Sequence, residues 1–559
     1  MKMCGPVLMS VIMLLSVIPA ASALSPVSQV KSQSQGSLVV PPGVTVYRLA
    51  DNSAQSRSSL TVLSSPITLG IMGGMDWTNS GGNALRNGMS VATGPTANDL
   101  LWSSARSTLI SWLPVTEGNR VFVVRQKGWP GSMNDSTIVA MDLQTGEELW
   151  TANIPYQSGD WTTWIAGVNN GHVYASRSGN GASVKDNLYA LDAATGSVVW
   201  TSTQSIDAGP YDGVVFAANG DPIVASFMDI WRFDAGTGSV VWHADRLGSV
   251  SGTCGGALAG DALYVADAAP GGNIIVRYDA GTGERQYQSE VMVGFTLQNT
   301  PFVGPDGTVY LCRTQNNQLT DFFYAFSDTG SSLVEKWHIP SAWTTFSEFA
   351  TSNDGCVYML IPGPYVAKVK AVDGTIVAQS DLLVTDTSPA PHIAVDAAGT
   401  VFVSNGGFDH GAVHVYSSNL TSLWETSVRN INIGGPAIGQ DGILVVSGVG
   451  SDFRAYHRPL PRLMMNFTGG FLRVHVHVAN VGSVNVSNVT WSMNVQGGVF
   501  HRVNVSDGGT ITSLSVGAET TLTLSKAVFG FGKIKVEVMV DSLTAEADGF
   551  LLGPFVSFT

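Results

Sequence analysis

Seven residues of this chain could form a ligand-binding site, because two are aromatic and five can form directed hydrogen bonds. They lie just before recurring short strands and are Trp161, Trp164, Asp212, Gln298, Asn299, Glu348 and His392. Indole rings that stack on a sugar or peptide, surrounded by polar groups, are typical of binding sites. In the alternative interpretation, the tryptophans pack between sheets and the polar groups bind water. The first interpretation requires the strands that follow these residues to come together around one opening of the fold.

Motifs of catalysis are missing from the sequence, which has no HExxH, no GxSxG, no Asp-rich calcium loop and no adjacent cysteine pair. His475 and His477 are two residues apart in a strand pattern and could be a metal pair. They also fit a solvent-facing polar stripe, because valines alternate with them. Asp409, His410 and His414 fit ordinary loop polarity. The sequence therefore predicts no catalytic residue, no metal and no cofactor.

A recurring hairpin must position the candidate residues. The stretch LYALDAATGSVVW at 188–200 has close copies at 138–150 and 230–242. Each copy has an apolar strand, an Asp that can accept hydrogen bonds from the backbone ahead of it, a Thr-Gly pair and a second strand ending in Trp. The repeat positions are Asp142, Gly146, Trp150, Asp192, Gly196, Trp200, Asp234, Gly238 and Trp242.

The spacing of the aromatic position predicts the architecture. From Trp102 to Trp424 it recurs every 42 to 50 residues, with Tyr287 and Gln379 replacing Trp twice; this is the length of a four-stranded propeller blade. The last copy lacks its Trp strand, whereas the strand around Trp102 has no hairpin before it. The prediction is an all-β chain: an eight-bladed β-propeller closed by an N-terminal strand, followed by a small β-sandwich.

The repeat carries a family resemblance. ALDAATGSVVW resembles the Trp-docking repeat of the pyrroloquinoline-quinone-like propellers, and DWTNSGGNALRNG at 76–88 resembles the opening of secreted members. That family includes quinone-dependent alcohol dehydrogenases, a bacterial outer-membrane assembly scaffold and surface proteins of no known activity. A quinone dehydrogenase would need an adjacent-cysteine ring and a calcium site, so no quinone is predicted. The C-terminal stretch VANVGSVNVSNVTW resembles immunoglobulin-like adhesion modules of prokaryotic surface proteins.

Composition changes along the chain predict four parts. Residues 1–23 have the charged start, apolar run and small-residue end of a secretory signal. Residues 24–66 form a Ser/Gln/Pro-rich linker, residues 67–458 form the propeller, and residues 462–559 alternate with period two, as expected for an immunoglobulin-like β-sandwich. No membrane span is expected after cleavage of the signal.

The net charge narrows the class of partner, and the cysteine content indicates the state of the thiols. The net charge of −14 argues against nucleic acid, which requires a basic footprint. Cys254, Cys312 and Cys356 remain after signal cleavage, and this odd number predicts at least one unpaired thiol, with buried thiols favoured.

The function predicted from the sequence is binding, by a secreted or cell-surface protein that uses a propeller face and is not catalytic. Its partner would be a protein or a glycan at the cell surface. Two alternatives stay open at this point: a quinone-dependent oxidoreductase and an envelope-assembly scaffold.

Overall fold

The structure is a computed structural model. It describes residues 76–106, 113–126, 136–179, 184–207, 214–248, 255–293, 299–313, 320–342, 349–363, 365–383, 391–406, 411–429, 435–458, 463–480, 484–540 and 543–558. The predicted signal and linker lie outside these residues. The described residues divide into two units: one has residues 76–94 and 100–456, and the other has residues 95–99 and 457–558.

The all-β prediction is confirmed, since apart from two short 3-10 turns the regular elements of the described residues are strands. The first unit contains β1 (Leu100–Arg106), β2 (Val115–Glu117), β3 (Arg120–Arg125), β4 (Thr137–Asp142), β5 (Glu148–Ala152), β6 (Asp160–Asn169), β7 (His172–Gly179), β8 (Lys185–Asp192), β9 (Val198–Asp207), β10 (Val215–Phe216), β11 (Pro222–Ala225), β12 (Asp229–Phe233), β13 (Val240–Asp245), β14 (Gly256–Ala259), β15 (Ala262–Ala269), β16 (Gly272–Asp279), β17 (Arg285–Gln288) and β18 (Met292–Val293). It continues with β19 (Phe302–Val303), β20 (Val309–Arg313), β21 (Thr320–Asp328), β22 (Leu333–Ala342), β23 (Ala350–Thr351), β24 (Cys356–Ile361), β25 (Tyr365–Lys370), β26 (Ile376–Gln379), β27 (His392–Val395), β28 (Val401–Gly406), β29 (Gly411–Tyr416), β30 (Ser422–Ser427), β31 (Ala437–Ile438), β32 (Leu444–Ser447) and β33 (Gly450–Tyr456).

These strands form eight antiparallel sheets among the described residues of the first unit. Seven of the sheets take four successive strands in chain order, from β2–β5 (sheet 1) to β27–β30 (sheet 7), and β18 adds to sheet 4. Sheet 8 combines β31, β32 and β33 with the N-terminal β1, which pairs antiparallel with β33 through the partners Trp102 and Ala455. The first and last strands of the unit thus share one sheet.

In sheets 1 to 4, the turn between the third and fourth strands follows from its Asp-x-x-Thr-Gly sequence. In sheet 2, Asp192 Oδ1 accepts hydrogen bonds from the backbone N–H groups of Ala194 at 3.0 Å and Thr195 at 2.8 Å. Gly196 has a φ of 73°, a conformation that glycine adopts without steric cost. The hydrogen bonds of Thr195 hold the pKa of Asp192 below its usual value. The predicted hairpin is therefore the observed one.

The repeated Trp joins one sheet to the next. Trp200 of sheet 2 donates its indole N–H to the Ala235 carbonyl of sheet 3 at 2.8 Å, and its ring lies over Gly238. A Cβ atom on Gly238 would lie 2.5 Å from this ring, so glycine makes the contact possible. The same stacking recurs in the pairs Trp102–Gly146, Trp150–Gly196, Trp242–Gly283 and Trp337–Gly374. The first of these pairs joins sheet 8 to sheet 1.

Where the repeat lacks Trp, the next sheet lacks the matching Gly. Tyr287 of sheet 4 donates its hydroxyl to Asp328 of sheet 5, and Leu333 stands there four residues before Trp337. The expectation that Gln379 replaces Trp is wrong by one residue: Ala378 pairs with Lys368 just before the bulge, as Trp200 pairs with Ala190 in sheet 2, and Gln379 is exposed. Ala378 of sheet 6 is followed in sheet 7 by Leu420, which is 4% exposed and takes a φ of 61°. Leu420 packs in the core shared by sheets 6 and 7. A leucine therefore supplies apolar packing beside each missing tryptophan.

Valine at Gly196 should destabilise the fold by at least about 1–3 kcal/mol, because it combines a strained backbone with a collision. Its Cβ would lie 2.5 Å from the Trp150 ring. Gly146→Val and Gly238→Val should behave alike, whereas Gly118→Val should show only the backbone cost, since nothing lies within 4 Å of its added Cβ. Urea denaturation measures all four variants, and equal losses would contradict the stacking role.

Tryptophan in place of Ala378 should stabilise the border of sheets 6 and 7 only when Leu420 is also changed to glycine. Alone, the new indole would compete with Leu420 for one space. The double variant would recreate the Trp–Gly pair and remove a left-handed leucine. A double-mutant cycle by urea denaturation should give a favourable coupling of about 0.5–3 kcal/mol. Additive effects on the free energy of unfolding would show that the two side chains do not occupy the same space.

The second unit has two antiparallel sheets around one apolar core. Its strands are β34 (Leu463–Gly469), β35 (Val474–Asn480), β36 (Val486–Gly497), β37 (Val503–Leu514), β38 (Glu519–Thr523), β39 (Gly530–Val540), β40 (Leu543–Gly553) and β41 (Phe555–Phe558). One sheet has the order β34-β35-β38 and the other β37-β36-β39-β40-β41. Val474, Val476 and Val478 are fully buried, so the period-two alternation of this region marks its inner face.

The cysteines fit the expected buried thiols where the structure describes them. Cys312 and Cys356 are both buried and are not joined in a disulfide. Burial raises the pKa of the Cys356 thiol, and the Cys312 sulfur lies 3.5 Å from the hydroxyl of Ser341. Cys254 lies outside the described residues.

Candidate functional site

One short segment contacts the first strands of the sheets in turn. This inner segment, Asp76–Gly94, runs past the ends of those strands, and its contacts follow the order of the sheets along the chain. The carbonyls of Trp77, Thr78, Ala84, Leu85, Asn87 and Gly88 accept hydrogen bonds from the backbone N–H groups of Thr116, Val168, Leu258, Val303, Thr351 and Val395, respectively.

Sheets 3 and 8 contact the inner segment in other ways. The side chain of Asn79 donates to the Val214 carbonyl, just before sheet 3, at 3.0 Å. In sheet 8, a Cβ on Gly442 would meet the Thr93 carbonyl at 1.9 Å, so the two backbones approach closely. All eight sheets therefore contact this segment. Most of the contacts lie toward the C-terminal ends of the first strands, whereas that of sheet 3 lies just before its first strand.

The asparagines and glycines of the inner segment explain how it fits there. Asn79 donates to the Asn83 carbonyl, and Asn83 donates to the side chain of Asn87 at 2.8 Å. Gly88 has a φ of 64°, and a Cβ there would lie 2.6 Å from the Ala350 side chain. The amides satisfy buried polar groups, and the glycine permits close approach.

Arg86 fixes the middle of the inner segment. It is 3% exposed, and it donates to the Gly256 carbonyl and the Ser80 hydroxyl, each at 2.7 Å. The same residue lines a small cavity with Asn299, Thr300, Pro301, Phe302, Cys312 and Phe349. The cavity thus joins the inner segment to one of the predicted ligand contacts.

The structure describes three of the seven predicted contact side chains, and all three are buried. Asn299 donates to the Cys312 carbonyl at 2.7 Å. His392 is 3% exposed and packs against Gly435, where a Cβ would lie 2.5 Å from the His392 side chain. Trp164 is 1% exposed in the apolar cluster between sheets 2 and 3, and its indole N–H has no partner among the described residues.

The remaining predicted contacts have no described side chain. Trp161 belongs to β6, and Asp212, Gln298 and Glu348 lie outside the described residues. The packing of Trp164 agrees with the alternative weighed for the tryptophans, whereas contact of these residues with a ligand stays a prediction.

A buried carboxyl pair, which the sequence did not single out, lies at the opposite end of sheet 2. Asp160 and Asp186 are 2% and 8% exposed, and Gln157 donates its side chain to Asp186 at 2.8 Å. The guanidinium of Arg177 is 3.9 Å from Asp160. Burial, with a hydrogen bond between the two carboxyls, raises the pKa of Asp186 to about 7. The pair can therefore hold one proton near neutral pH.

Asparagine at Asp186 should reduce the loss of stability as the pH rises. The folded protein keeps a proton on Asp186 that the unfolded chain releases above its ordinary pKa of 3.8, so the stability contributed by this group falls between that pH and about 7. Thermal denaturation at a series of pH values should show the melting temperature of Asp186→Asn rising relative to that of the wild type as the pH increases across this range.

Asp192→Asn is the matched control with the opposite sign. The pKa of Asp192 is lowered, so its contribution is present at neutral pH and is lost in acid. The destabilisation by this variant should therefore shrink as the pH falls. Parallel pH profiles for the wild type and Asp186→Asn would contradict the shared proton.

The histidine patterns have ordinary hydrogen-bond partners. His475 and His477 are half-buried on β35, where His475 bonds to Thr523 at 2.9 Å and His477 to Glu519 at 2.9 Å. His414 is buried beside Glu425, and burial lowers its pKa. Asp409 and His410 lie outside the described residues. The pair on β35 therefore fits the polar-stripe interpretation.

Another group has the composition of a metal site. The ligand atoms of Asp229, His243 and Asp245 all lie within 4.8 Å of one another on β12 and β13. His243 is 2.8 Å from Asp229 and stacks on the Trp231 ring, with 3.9 Å between centroids. The strand register brings Asp229 opposite Asp245, a juxtaposition that the sequence motifs did not reveal. His243 already pairs with a carboxylate, so the geometry alone does not assign a metal.

The ends of the sheets away from the inner segment carry exposed apolar side chains. This set, here called the loop face, comprises Tyr156, Met228, Leu247, Val293 and Leu382. They follow the fourth strand of a sheet or join its second and third strands. Val293 is 76% exposed and Leu382 is 56% exposed. Exposed apolar side chains mark an interaction surface where they form a contiguous patch.

Comparisons with known proteins place the fold. Residues 134–350 match the protein family described as outer membrane protein assembly factor BamB, and comparison with curated proteins found no match.

Three solved structures are similar in fold. A europium-containing methanol dehydrogenase is 15% identical, with a TM-score of 0.47, over 67% of this chain and 90% of that chain. BamB from Moraxella catarrhalis is 17% identical, with a TM-score of 0.43, over 64% and 95%. Quinohemoprotein alcohol dehydrogenase from Comamonas testosteroni is 15% identical, with a TM-score of 0.43, over 74% and 78%.

The described residues contain no helix that is long and apolar enough to cross a bilayer. The matched family, the Asp-x-x-Thr-Gly turns and the Trp–Gly borders together identify the sheets of the first unit as a β-propeller built from PQQ-like repeats.

Proposed function

We propose that this chain is a non-catalytic binding protein of the cell envelope or surface, without a quinone or metal cofactor, and that its loop face receives the partner. In this proposal the eight sheets form one closed ring, with β1 completing the last blade. The ring's central channel is filled at one end by the inner segment. A partner then approaches from the other end.

The inner segment is the observation that carries the proposal. It contacts every sheet in or beside the first strand or the turn after it, and its buried Arg86 and Asn83 side chains donate hydrogen bonds to other groups of the chain. Closure is supported by β1 on β33 and by Trp102 stacked over Gly146. Exposed apolar residues at the opposite end leave that face as the available contact surface.

The match to an outer membrane assembly factor supports interaction with another protein rather than catalysis. Secretion through the predicted signal at 1–23 would deliver the propeller to the envelope. The C-terminal unit would then act as a spacer or docking module of immunoglobulin-like type, following the linker and propeller bounds inferred from the sequence.

Site-specific photo-crosslinking in native envelope tests the loop face. A photoreactive residue at Val293 or Leu382 should crosslink to the partner. The same residue at Val372, which is 71% exposed in a turn at the inner-segment end, is the matched control. Crosslinks from Val372 alone would place the binding surface at the wrong end of the sheets.

A second experiment separates binding from redox chemistry. The purified protein is mixed with pyrroloquinoline quinone and calcium, and its absorbance is recorded after removal of unbound quinone. The proposal expects no retained quinone spectrum. A stoichiometric bound chromophore would favour the oxidoreductase and overturn the non-catalytic assignment.

A further inference from the structure

The C-terminal unit carries large apolar side chains where burial would be expected. Phe500 is 83% exposed, the highest value among the large hydrophobic residues described, and Phe471 is 64% exposed. They belong to a group, here called the aromatic tip, made of Phe471, Phe500, Phe529, Phe531, Leu552 and Phe555. Exposed apolar groups of this size mark an interaction surface in soluble proteins.

Most of the tip residues are contiguous. The rings of Phe471 and Phe555 have centroids 5.5 Å apart, and those of Phe529 and Phe531 are 6.3 Å apart. Phe531 is the cross-strand partner of Leu552. A Cβ at Gly553 would lie 3.9 Å from Phe529 and 4.0 Å from Phe531.

Backbone hydrogen bonds hold the four loops of the tip together. Leu472 donates to the Pro554 carbonyl and accepts from the Val528 N–H at 2.9 Å. Gly498 donates to the Lys533 carbonyl at 2.7 Å, which joins the loop of Phe500 to the loop of Phe531. The tip is therefore one surface built from loops at one end of both sheets.

The backbone of the tip is held in conformations that need support from its surroundings. Leu472 and Phe500 have φ values of 61° and 60°, in the left-handed region that disfavours side chains with a Cβ. Phe500 keeps this conformation although its ring is almost fully exposed. Residues with a strained backbone are often found at binding sites. Packing does not account for the strain at Phe500, because its ring makes little contact with the rest of the chain.

Basic residues accompany the aromatic ones. Arg473, Arg502, Lys526 and Lys533 lie in or beside the four loops, and the loop stretches 470–473, 498–502, 526–533 and 549–555 contain no Asp or Glu. The guanidinium of Arg502 lies 5.9 Å above the Phe500 ring. This local excess of positive charge contrasts with the net charge of −14 of the whole chain. The tip is thus complementary to a negatively charged apolar medium.

We propose that the aromatic tip inserts into the headgroup region of an anionic lipid bilayer. Phenylalanine and leucine side chains would enter the upper acyl layer, while Arg473, Arg502 and Lys533 would contact lipid phosphates. Apolar burial and attraction to anionic lipid act together in interfacial binding. A bilayer is favoured over a protein partner because the apolar groups project outward from separate loops, and the loop stretches themselves carry basic residues and no carboxylate; the nearest carboxylates, Asp507 and Asp548, lie outside these stretches.

Co-sedimentation of the full chain with vesicles tests the proposal. Vesicles of phosphatidylcholine are compared with vesicles that also contain phosphatidylglycerol. The wild type should partition onto the anionic vesicles, and added salt should weaken this binding. The double variant Phe500→Ser/Phe531→Ser should lose about tenfold or more in partition coefficient.

The charge contribution is tested separately. The triple variant Arg473→Gln/Arg502→Gln/Lys533→Gln should lose the preference for phosphatidylglycerol, by about fivefold for each residue removed. Val516→Ser is the matched control: Val516 is 50% exposed just beyond the far end of β37 and should bind like the wild type. All variants should melt like the wild type, since the changed side chains are at the surface.

Two outcomes would overturn the proposal. One is equal binding of the wild type and the Phe500/Phe531 variant to anionic vesicles. The other is no vesicle binding together with a wild-type dimer that the same variant converts to a monomer in light scattering. That result would assign the tip to self-association. Neither outcome concerns the loop face of the propeller.

Discussion

Replacing Trp200 with alanine should destabilise the propeller by about 3–5 kcal/mol. The indole is 7% exposed, packs in the core shared by sheets 2 and 3, and donates to the Ala235 carbonyl at 2.8 Å. Alanine would leave a cavity and a carbonyl without its donor. The neighbouring glycine lies against the face of the indole and has no side chain that could fill the cavity.

Urea denaturation and hydrogen exchange measure this loss. Protection should fall first in sheets 2 and 3, because local opening follows the weakest border. Val199→Ala on the same strand is the control; Val199 is 47% exposed, and its truncation should change stability by no more than about 0.5 kcal/mol. If Trp200→Ala costs as little as Val199→Ala, the stacked indole does not hold the sheets together.

Removal of the inner segment should have the second large effect, and three truncations separate its causes. A chain that starts at residue 76 should be as stable as the full chain, since every described contact is kept. A chain that starts at residue 95 should unfold at a markedly lower temperature, because it leaves the first-strand N–H groups of Thr116, Val168 and Val303 without their carbonyl acceptors.

Deletion through Ser104 should also cause aggregation. It removes most of β1 and exposes β33 as an unpaired edge, and bare edges pair with other chains. Scanning calorimetry and light scattering distinguish the three chains. A synthetic peptide of residues 74–95 should restore the melting temperature of the chain that starts at 95, but not of the longer deletion. A soluble, equally stable chain after deletion through Ser104 would refute the pairing of first and last strands.

The repeat was predictable because its physics is local. Asp192, Thr195 and Gly196 form their turn within five residues, so their spacing is visible in the sequence. The role of Trp102 was also predictable, since it had a strand but no hairpin of its own. The role of Leu420 was not anticipated, because it depends on Ala378 in the preceding sheet, and only the strand register shows that Ala378 rather than Gln379 occupies the Trp position.

The candidate site was less predictable for the same reason. The inner segment has neither helical nor strand periodicity, and its partners are backbone groups far away in the sequence. Asp160 and Asp186 become a pair only because the ends of β6 and β8 meet at one end of sheet 2. The position of Trp164 before a recurring strand suggested that it contacts a ligand. Whether its side chain is buried depends instead on which residues of the adjacent sheet pack against it.

The inner segment also constrains how the chain can fold. Its residues are synthesised before every strand that binds them, yet Thr93 meets its last neighbour, Gly442, nearly 350 residues later. The pairing of β1 with β33 spans a similar separation. Such contacts give the propeller a high contact order, and closing loops of this length is entropically costly and slow. The segment can bind sheets 1 and 2 early, but its contact with Gly442 and the pairing of β1 with β33 can form only after nearly all of the first unit has been synthesised.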